Sequence, residues 1–133
     1  MYLPGPLIDI FDPDLPILDG VRLEPGQSGL YRDVSALLNR ASGEKRQNCV
    51  LHTTHRLMSQ YHAGAVSRIT LRGPAETPAV VRLYGAGRGL ETIIASDADG
   101  EILDVASQRN GETLKLQFPN HPQGTTLEIR WSP

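Results

Sequence analysis

Residues 106–131 read ASQRNGETLKLQFPNHPQGTTLEIRW, and this stretch decides the fold class. The pair Asn110-Gly111 lies between alternating runs, which is a strong short-range signal for a β-hairpin. A second turn signal covers residues 119–124. The apolar positions that alternate with polar ones around these turns are Leu114, Leu116, Phe118, Leu127, Ile129 and Trp131. A period of two places such side chains on one face of each strand, so the stretch predicts antiparallel strands over a shared core.

Upstream of this stretch the chain breaks into short runs of the same kind. Further strands are predicted over residues 49–61, 65–72, 79–84, 90–95 and 101–106. Asp97-Ala98-Asp99-Gly100 is a turn signal, because Asx side chains bond their own backbone and Gly accepts positive φ. The sequence therefore predicts an all-β fold, an antiparallel β-sandwich of about eight or nine short strands.

One short stretch, residues 33–39, has helical character. Asp33 and Ser35 are both candidates for its N-cap, because each has a side-chain oxygen that can accept an N–H of the first turn. The pattern predicts one short helical turn in an otherwise β fold.

The N-terminal part differs in composition from the rest. Prolines at positions 4, 6, 13 and 16 remove backbone donors and disfavour a helix. We expect residues 1–19 to form a proline-rich, extended lead-in segment, and residues 20–133 to form the β-sandwich domain. The apolar residues of the segment would dock it against a neighbouring surface; they are Leu7, Ile8, Ile10 and Phe11.

Charge and composition exclude several classes of partner. The 13 Lys and Arg residues face 15 Asp and Glu residues, which gives a formal net charge of −2. A chain without a basic block is a poor match for nucleic acid or an anionic membrane, so neither is predicted as a partner. Cys49 is the one cysteine, so no internal disulfide forms, and this is compatible with the cytoplasm or with export as part of a larger chain.

The histidines and the aspartates are the candidate metal ligands of this sequence. His52, His55 and His62 lie close in sequence, but positions 52 and 55 point to opposite faces of a strand, whereas zinc needs converging ligands. Asp12-Pro13-Asp14 and Asp97-Ala98-Asp99-Gly100 are fragments of a calcium loop at most, and Asx turns explain both. No cofactor or metal is predicted; a structural calcium ion at either turn would be incidental to function.

Catalytic patterns are equally weak. Cys49 lies inside a predicted strand and is expected to behave as a small buried hydrophobe. Residues 85–89 (GAGRG) lack the Lys-Ser/Thr of a phosphate-binding P-loop and precede no convincing helix. No catalytic residue is predicted, and the chain is interpreted as a non-catalytic module.

Aromatic rings are the usual contact surface for sugars, since a flat face stacks on a pyranose ring. Trp131 aligns with Leu127 and Ile129 and is expected in the core. The candidates for ligand binding at the surface are Tyr31, Tyr61, Tyr84 and Arg82.

Three stretches carry a resemblance to a known class of domain. They are residues 23–33 (LEPGQSGLYRD), 50–57 (VLHTTHRL) and 70–84 (TLRGPAETPAVVRLY). Their order resembles that of the accessory β-sandwich at the C-terminal end of bacterial glycoside hydrolases, over residues 19–131. The resemblance implies a non-catalytic accessory role, with a catalytic domain of a larger protein or a polysaccharide as partner, and it transfers no functional residue.

Three functions follow as expectations. The first is a non-catalytic accessory module of a carbohydrate-active enzyme. The second is an independent carbohydrate-binding module, which needs Tyr31, Tyr61 or Tyr84 exposed beside polar partners. The third is a protein–protein interaction domain without a sugar ligand that binds through an edge strand.

Overall fold

The computed structural model describes residues 1–41, 48–85 and 89–132. Over these residues the chain is almost entirely β, with strands in three antiparallel sheets and one short helix. The predicted all-β, sandwich-like fold is confirmed. The described residues contain 12 strands rather than eight or nine, because the N-terminal segment forms strands of its own and one long predicted strand divides.

Two of the sheets form the sandwich. The five-stranded sheet has the order β5-β6-β12-β8-β9. Its strands are β5 (Arg56–Ala63), β6 (Val66–Arg72), β12 (Thr125–Trp131), β8 (Leu90–Asp97) and β9 (Ile102–Leu103). The four-stranded sheet has the order β10-β11-β7-β4. Its strands are β10 (Ala106–Asn110), β11 (Thr113–Pro119), β7 (Pro78–Tyr84) and β4 (Cys49–Thr53).

The main core lies between these two sheets and follows from their alternation. Its buried side chains include Ile69, Leu71, Val81, Leu83, Leu114, Leu116, Phe118, Leu127, Ile129 and Trp131. The expectation that Trp131 is a core residue is confirmed. Its indole Nε1 donates to Ser67 Oγ at 2.9 Å. Burying a Trp with its N–H paired avoids the cost of an unsatisfied donor.

The third sheet and the helix cover the outer face of the four-stranded sheet. This sheet has the order β2-β1-β3. Its strands are β1 (Tyr2–Asp9), β2 (Ile17–Arg22) and β3 (Tyr31–Asp33), and the helix α1 (Ser35–Ala41) follows. Asp33 caps α1, because its Oδ1 accepts the Ser35 N–H at 2.9 Å. Hydrogen bonds from the Ser35 hydroxyl and from the Ser35 backbone N–H hold the pKa of Asp33 below its ordinary value.

The proline-rich segment therefore contains regular strands, although prolines disfavour the interior of a sheet. The register of β1 against β2 shifts between Pro4 and Leu7, and β3 pairs with β1 only from Leu7 onward. Pro6 thus falls where the ladder is interrupted, and Pro4 is the last paired residue before the interruption. Gly5 completes this arrangement, because a Cβ there would lie 2.4 Å from the carbonyl oxygen of Leu18.

A second group of buried residues, the outer cluster, lies beneath this third sheet. It consists of Ile8, Leu15, Val34, Ala41, Leu51, Val80 and Tyr84. Leu7 and Ile8 of the N-terminal segment are buried, whereas Phe11 is 69% exposed. The apolar residues at 7 and 8 are therefore used inside the domain, and the position 19/20 falls within β2.

Three local predictions need correction. Residues 49–61 form two strands, β4 and β5, which belong to different sheets and are joined by a turn at 54–55. The predicted strand 101–106 is reduced to the two-residue β9. Asn110 pairs with Thr113, so the loop residues of the hairpin are Gly111 and Glu112, with Gly111 at φ 63°. Positive φ at the first loop position is the geometry of a type II′ turn, which favours Gly.

Candidate functional site

A cleft with a volume of about 550 Å³ lies on the outer face of the four-stranded sheet. The loop between β1 and β2, helix α1 and the β10–β11 hairpin surround it. Its polar lining residues are Asp14, Arg82, Gln108, Asn110, Glu112 and Thr113, together with the Tyr84 phenol. Its apolar lining residues are Pro16, Ile17 and Leu38.

Strand β7 supplies the floor of the cleft. Every residue of β7 after Pro78 is buried, because Val81 and Leu83 face the main core while Arg82 and Tyr84 face the third sheet. The strand predicted over residues 79–84 is confirmed as part of β7, and Arg82 shares a face with Tyr84. Both are more buried than the sequence suggested, since Arg82 is 4% and Tyr84 2% exposed.

Arg82 is held by three hydrogen bonds to neutral oxygens. Its Nε donates to the Leu15 carbonyl at 3.0 Å, and Nη2 donates to the Asp14 carbonyl at 2.9 Å. Nη1 donates to Asn110 Oδ1 at 3.1 Å. The guanidinium thus joins the β1–β2 loop to the β10–β11 hairpin across the floor of the cleft.

The charge of Arg82 is only partly compensated. No carboxylate among the described residues forms an ion pair with it within 4.0 Å. Burial lowers the pKa of Arg82, and the Asp14 carboxylate opposes this shift through space. Asp14 is itself bonded to Lys115, whose Nζ lies 2.8 Å from Asp14 Oδ1. That bond lowers the pKa of Asp14 below its ordinary value.

The same polar character extends along the sheet. Lys115 lies directly opposite Arg82 in the β11–β7 register, and Gln108 lies opposite Lys115 in the β10–β11 register. His52 lies opposite Arg82 on the other side. A row of four polar residues therefore crosses the outer face of this sheet and passes under the cleft.

The rim combines hydrogen-bonding groups with a small apolar wall. Tyr84 donates its hydroxyl to Glu112 Oε2 at 3.1 Å, which orients the carboxylate at the mouth. Gln108 and Asn110, both on β10, are exposed along the same face. Amide and carboxylate side chains both accept, and amides also donate, so the rim can match a ligand that presents hydroxyl groups.

The other tyrosines of the predicted site lie elsewhere. Tyr31 is in β3 of the third sheet and is half-buried. Tyr61 is in β5, at the edge of the five-stranded sheet, and is 58% exposed. The structure therefore brings Arg82 and Tyr84 together and leaves Tyr31 and Tyr61 on two other sheets.

The three neighbouring histidines enter separate hydrogen-bond networks. His52 Nδ1 lies 3.0 Å from Arg32 Nη1, and His55 Nδ1 lies 3.0 Å from Asn120 Nδ2. His62 Nδ1 lies 2.8 Å from Ser67 Oγ, beneath Trp131. Burial lowers the pKa of His62, and burial with the nearby Arg32 charge lowers that of His52.

One group of metal-ligand types converges among the described residues. Asp97, Asp99 and His121 place one ligand atom each within 4.8 Å of one another. The Gln123 N–H donates to His121 Nδ1 at 3.0 Å, so a neutral imidazole carries its proton on Nε2. Nε2 lies 3.2 Å from Asp99 Oδ2 and donates to it. This geometry is a hydrogen bond between two turns, and a metal at Nε2 would require the other tautomer.

The aspartate turns match the predicted Asx geometry. Asp97 Oδ1 accepts the N–H groups of Asp99 and Glu101, at 2.9 and 3.0 Å. Asp12 Oδ1 accepts the Asp14 N–H at 2.9 Å. His121 was not associated with Asp97 from sequence, because the two turns become neighbours only through the β12–β8 pairing.

The remaining sequence candidates carry little chemistry here. Cys49 is half-buried, and burial raises the pKa of its thiol, which keeps it protonated and poorly nucleophilic. Of the Gly-rich stretch at 85–89, residues 86–88 lie outside the described residues. Within the described ranges, no helix has the length and apolar character needed to cross a bilayer.

Comparison of the chain with protein-family models, with curated sequences and with solved structures gives no significant match. The site must therefore be interpreted from its own geometry.

Sequence reasoning missed most of the rim. Gln108 and Asn110 alternate along β10, but Ala106 is the one apolar residue of that strand, so no apolar alternation marks it as part of a site. Asp14, Pro16 and Ile17 reach the cleft only because the β1–β2 hairpin folds back over β7. Arg82 bonds there to Leu15 and Asp14, which precede it by 67 and 68 positions in the sequence. A contact over such a separation leaves no local sequence pattern.

Proposed function

We propose that this chain is a non-catalytic carbohydrate-binding module, which serves a larger carbohydrate-active enzyme and binds one or a few sugar residues in the cleft over Arg82 and Tyr84. The observation that carries the proposal is the composition of that cleft. Planar amide and carboxylate groups from Gln108, Asn110 and Glu112 surround a volume of about 550 Å³. Small-molecule sites usually have such a volume and a few placed polar groups.

The mixed lining supports a sugar over a wholly apolar ligand. A pyranose ring has hydroxyl groups around its edge and C–H groups on its faces. The hydroxyl groups would bond to the amide and carboxylate side chains of the rim. The C–H groups would pack against Pro16 and Ile17, which form an apolar wall beside the mouth.

The rigidity of the floor also supports a binding role. Arg82 and Tyr84 are fixed by hydrogen bonds to three different parts of the chain, namely the β1–β2 loop, β10 and the β10–β11 turn. A site that is ordered before binding loses less conformational entropy when the ligand arrives. The described residues that line the cleft include no exposed aromatic ring, so the cleft would select a sugar by hydrogen bonds rather than by stacking.

The test is a screen of oligosaccharides against the full chain, followed by two matched variants. Gln108→Ala removes a rim amide that is exposed and lies in the cleft lining. Gln117→Ala is the control, because Gln117 is an exposed glutamine on the same sheet that lines a different groove. We expect Gln108→Ala to weaken binding about five- to tenfold and Gln117→Ala to leave it unchanged. Failure of every oligosaccharide to bind the folded chain would overturn the proposal.

A second candidate function has one specific observation in its favour. Strand β10 is exposed along its whole length, and among the described residues it pairs with β11 alone, which leaves its other edge without a described partner. An extended peptide can add to such an edge as a further strand. If a protein partner protects the β10 amides from hydrogen exchange and no sugar binds, the chain is an interaction domain instead.

A further inference from the structure

Arg82 distinguishes the floor of the cleft from its rim. Three of the five guanidinium N–H groups are bonded, and all three acceptors are neutral oxygens of Leu15, Asp14 and Asn110. The remaining two have no acceptor among the described residues. A cation that is 96% removed from solvent normally has an anionic partner, because burying an unpaired charge is costly.

The charges around Arg82 leave its own charge in excess at the floor. The Asp14 carboxylate is bonded to Lys115 at 2.8 Å, so this anion is already paired with another cation. Glu112 lies at the mouth, where it is exposed and accepts the Tyr84 hydroxyl. The cleft therefore has a cationic floor, formed by Arg82 with Lys115 beside it, and a carboxylate at its mouth.

We propose that the cleft recognises acidic sugars, with the ligand's carboxylate on the floor at Arg82 and its hydroxyl groups at the rim; this rests on the carbohydrate-binding function proposed above. A carboxylate accepts two parallel N–H bonds from a guanidinium, and such charged bonds are about twice as strong as neutral ones. Arg82 has two N–H groups left for this purpose. Because three hydrogen bonds hold the Arg82 guanidinium in place, they also fix the direction from which the carboxylate approaches.

Because of Glu112, the cleft selects a ligand by the position of its carboxylate as well as by its charge. A sugar residue with several anionic groups would place one of them beside the Glu112 carboxylate at the mouth as well as one at Arg82. A uronic acid residue has one carboxylate and several hydroxyl groups, so its charge can lie at Arg82 while a hydroxyl donates to Glu112. The cleft therefore favours a singly charged sugar residue over a densely sulfated or phosphorylated one.

The experiment compares matched ligands on the unmodified chain. Oligogalacturonate and the same oligomer with its carboxylates methyl-esterified differ in charge but keep nearly the same shape and hydroxyl pattern. Binding is measured by calorimetry at pH 7 and low salt, together with oligoglucuronate and neutral glucose and galactose oligomers. We expect at least one acidic oligomer to bind roughly tenfold tighter than its neutral counterpart. Raising the salt concentration should reduce the preference.

Two variants locate the charge effect. Asp14→Asn removes the carboxylate near Arg82, while the Asp14 main-chain oxygen that accepts from Arg82 stays in place. We expect it to strengthen acidic-sugar binding about two- to fivefold, because the exposed Asp14 carboxylate acts on the ligand through space and is partly screened by solvent. Arg82→Met should abolish the preference for acidic over neutral oligomers. This substitution also removes the bonds that hold the β1–β2 loop, so the folding of the variant is checked by circular dichroism. The Asp14→Asn result and the comparison of matched ligands do not depend on this variant.

The outcomes separate the two proposals. Equal binding of acidic and neutral oligomers in the cleft would overturn the acidic-sugar inference and keep the carbohydrate-binding function. Binding of neutral oligomers alone would overturn the inference in the same way. Failure of all oligomers to bind would overturn both.

Discussion

The two faces of β7 show how differently one strand can be used. Toward the five-stranded sheet it presents Val81 and Leu83, which pack in a core made almost wholly of apolar side chains. Toward the third sheet it presents Arg82 and Tyr84, whose polar atoms bond to loops far away in sequence. The main core specifies the fold, and the outer cluster holds a polar site in place. The difference predicts that changes on the two faces will separate stability from binding.

The largest effect is expected from the main core. Ile129→Ala should lower the free energy of unfolding by about 3–5 kcal/mol, because the fully buried side chain leaves a cavity between two sheets that cannot close around it. Urea unfolding followed by circular dichroism measures this change. A loss under about 1 kcal/mol would mean that this core is loosely packed.

The corresponding change in the outer cluster should cost less. Leu15 is 1% exposed, but it lies in the β1–β2 loop outside the sheet ladders, whereas Ile129 lies between two paired strands. We expect Leu15→Ala to lower the free energy of unfolding by about 2 kcal/mol in the same urea measurement. We also expect it to weaken ligand binding, since the Leu15 carbonyl anchors Arg82. If it were as destabilising as Ile129→Ala, the two regions would form a single cooperative core.

Two histidines, one in each region, should make the free energy of unfolding depend on pH. His62 touches the Ser67–Trp131 pair of the main core, and His52 lies beside Arg32 under the third sheet. Burial lowers the folded-state pKa of both, so the unfolded chain takes up protons first. Stability is then complete above about pH 6.5, the unfolded pKa, and declines as the pH falls toward the folded values.

Urea unfolding at pH 7.5 and 5.5 checks this expectation. His62→Gln and His52→Gln should each reduce the loss of stability between the two pH values. A loss that is unchanged in both variants would contradict the assigned direction of the pKa shifts.

The smallest effect concerns a single ion pair at the cleft. Lys115→Met should raise the pKa of the Asp14 carboxyl toward its ordinary value, because the Lys115 hydrogen bond and charge are what lower it. Lys115→Arg should preserve the lowered pKa. Titration of the carboxylate by NMR distinguishes the two, and an unchanged Asp14 pKa in Lys115→Met would show that the pair does not form.

The same comparison explains what the sequence could predict. Alternation marks the main core because each strand buries one face, and Leu127, Ile129 and Trp131 show that period directly. The outer cluster has no such period: prolines 4 and 6 look incompatible with a strand until the bulge beside Leu7 is known. Arg82 and Tyr84 read as surface residues, because a strand covered on both sides by different sheets cannot be recognised from its own alternation.

The most direct test of the account is an NMR titration of the ¹⁵N-labelled chain with the tightest-binding oligosaccharide. We predict that the Arg82 Nε–H resonance and the side-chain amides of Gln108 and Asn110 shift in a saturable way, while the amide resonances around Tyr61 on the five-stranded sheet stay in place. Shifts confined to the Tyr61 face, with Arg82 unchanged, would contradict the assignment of the cleft as the binding site.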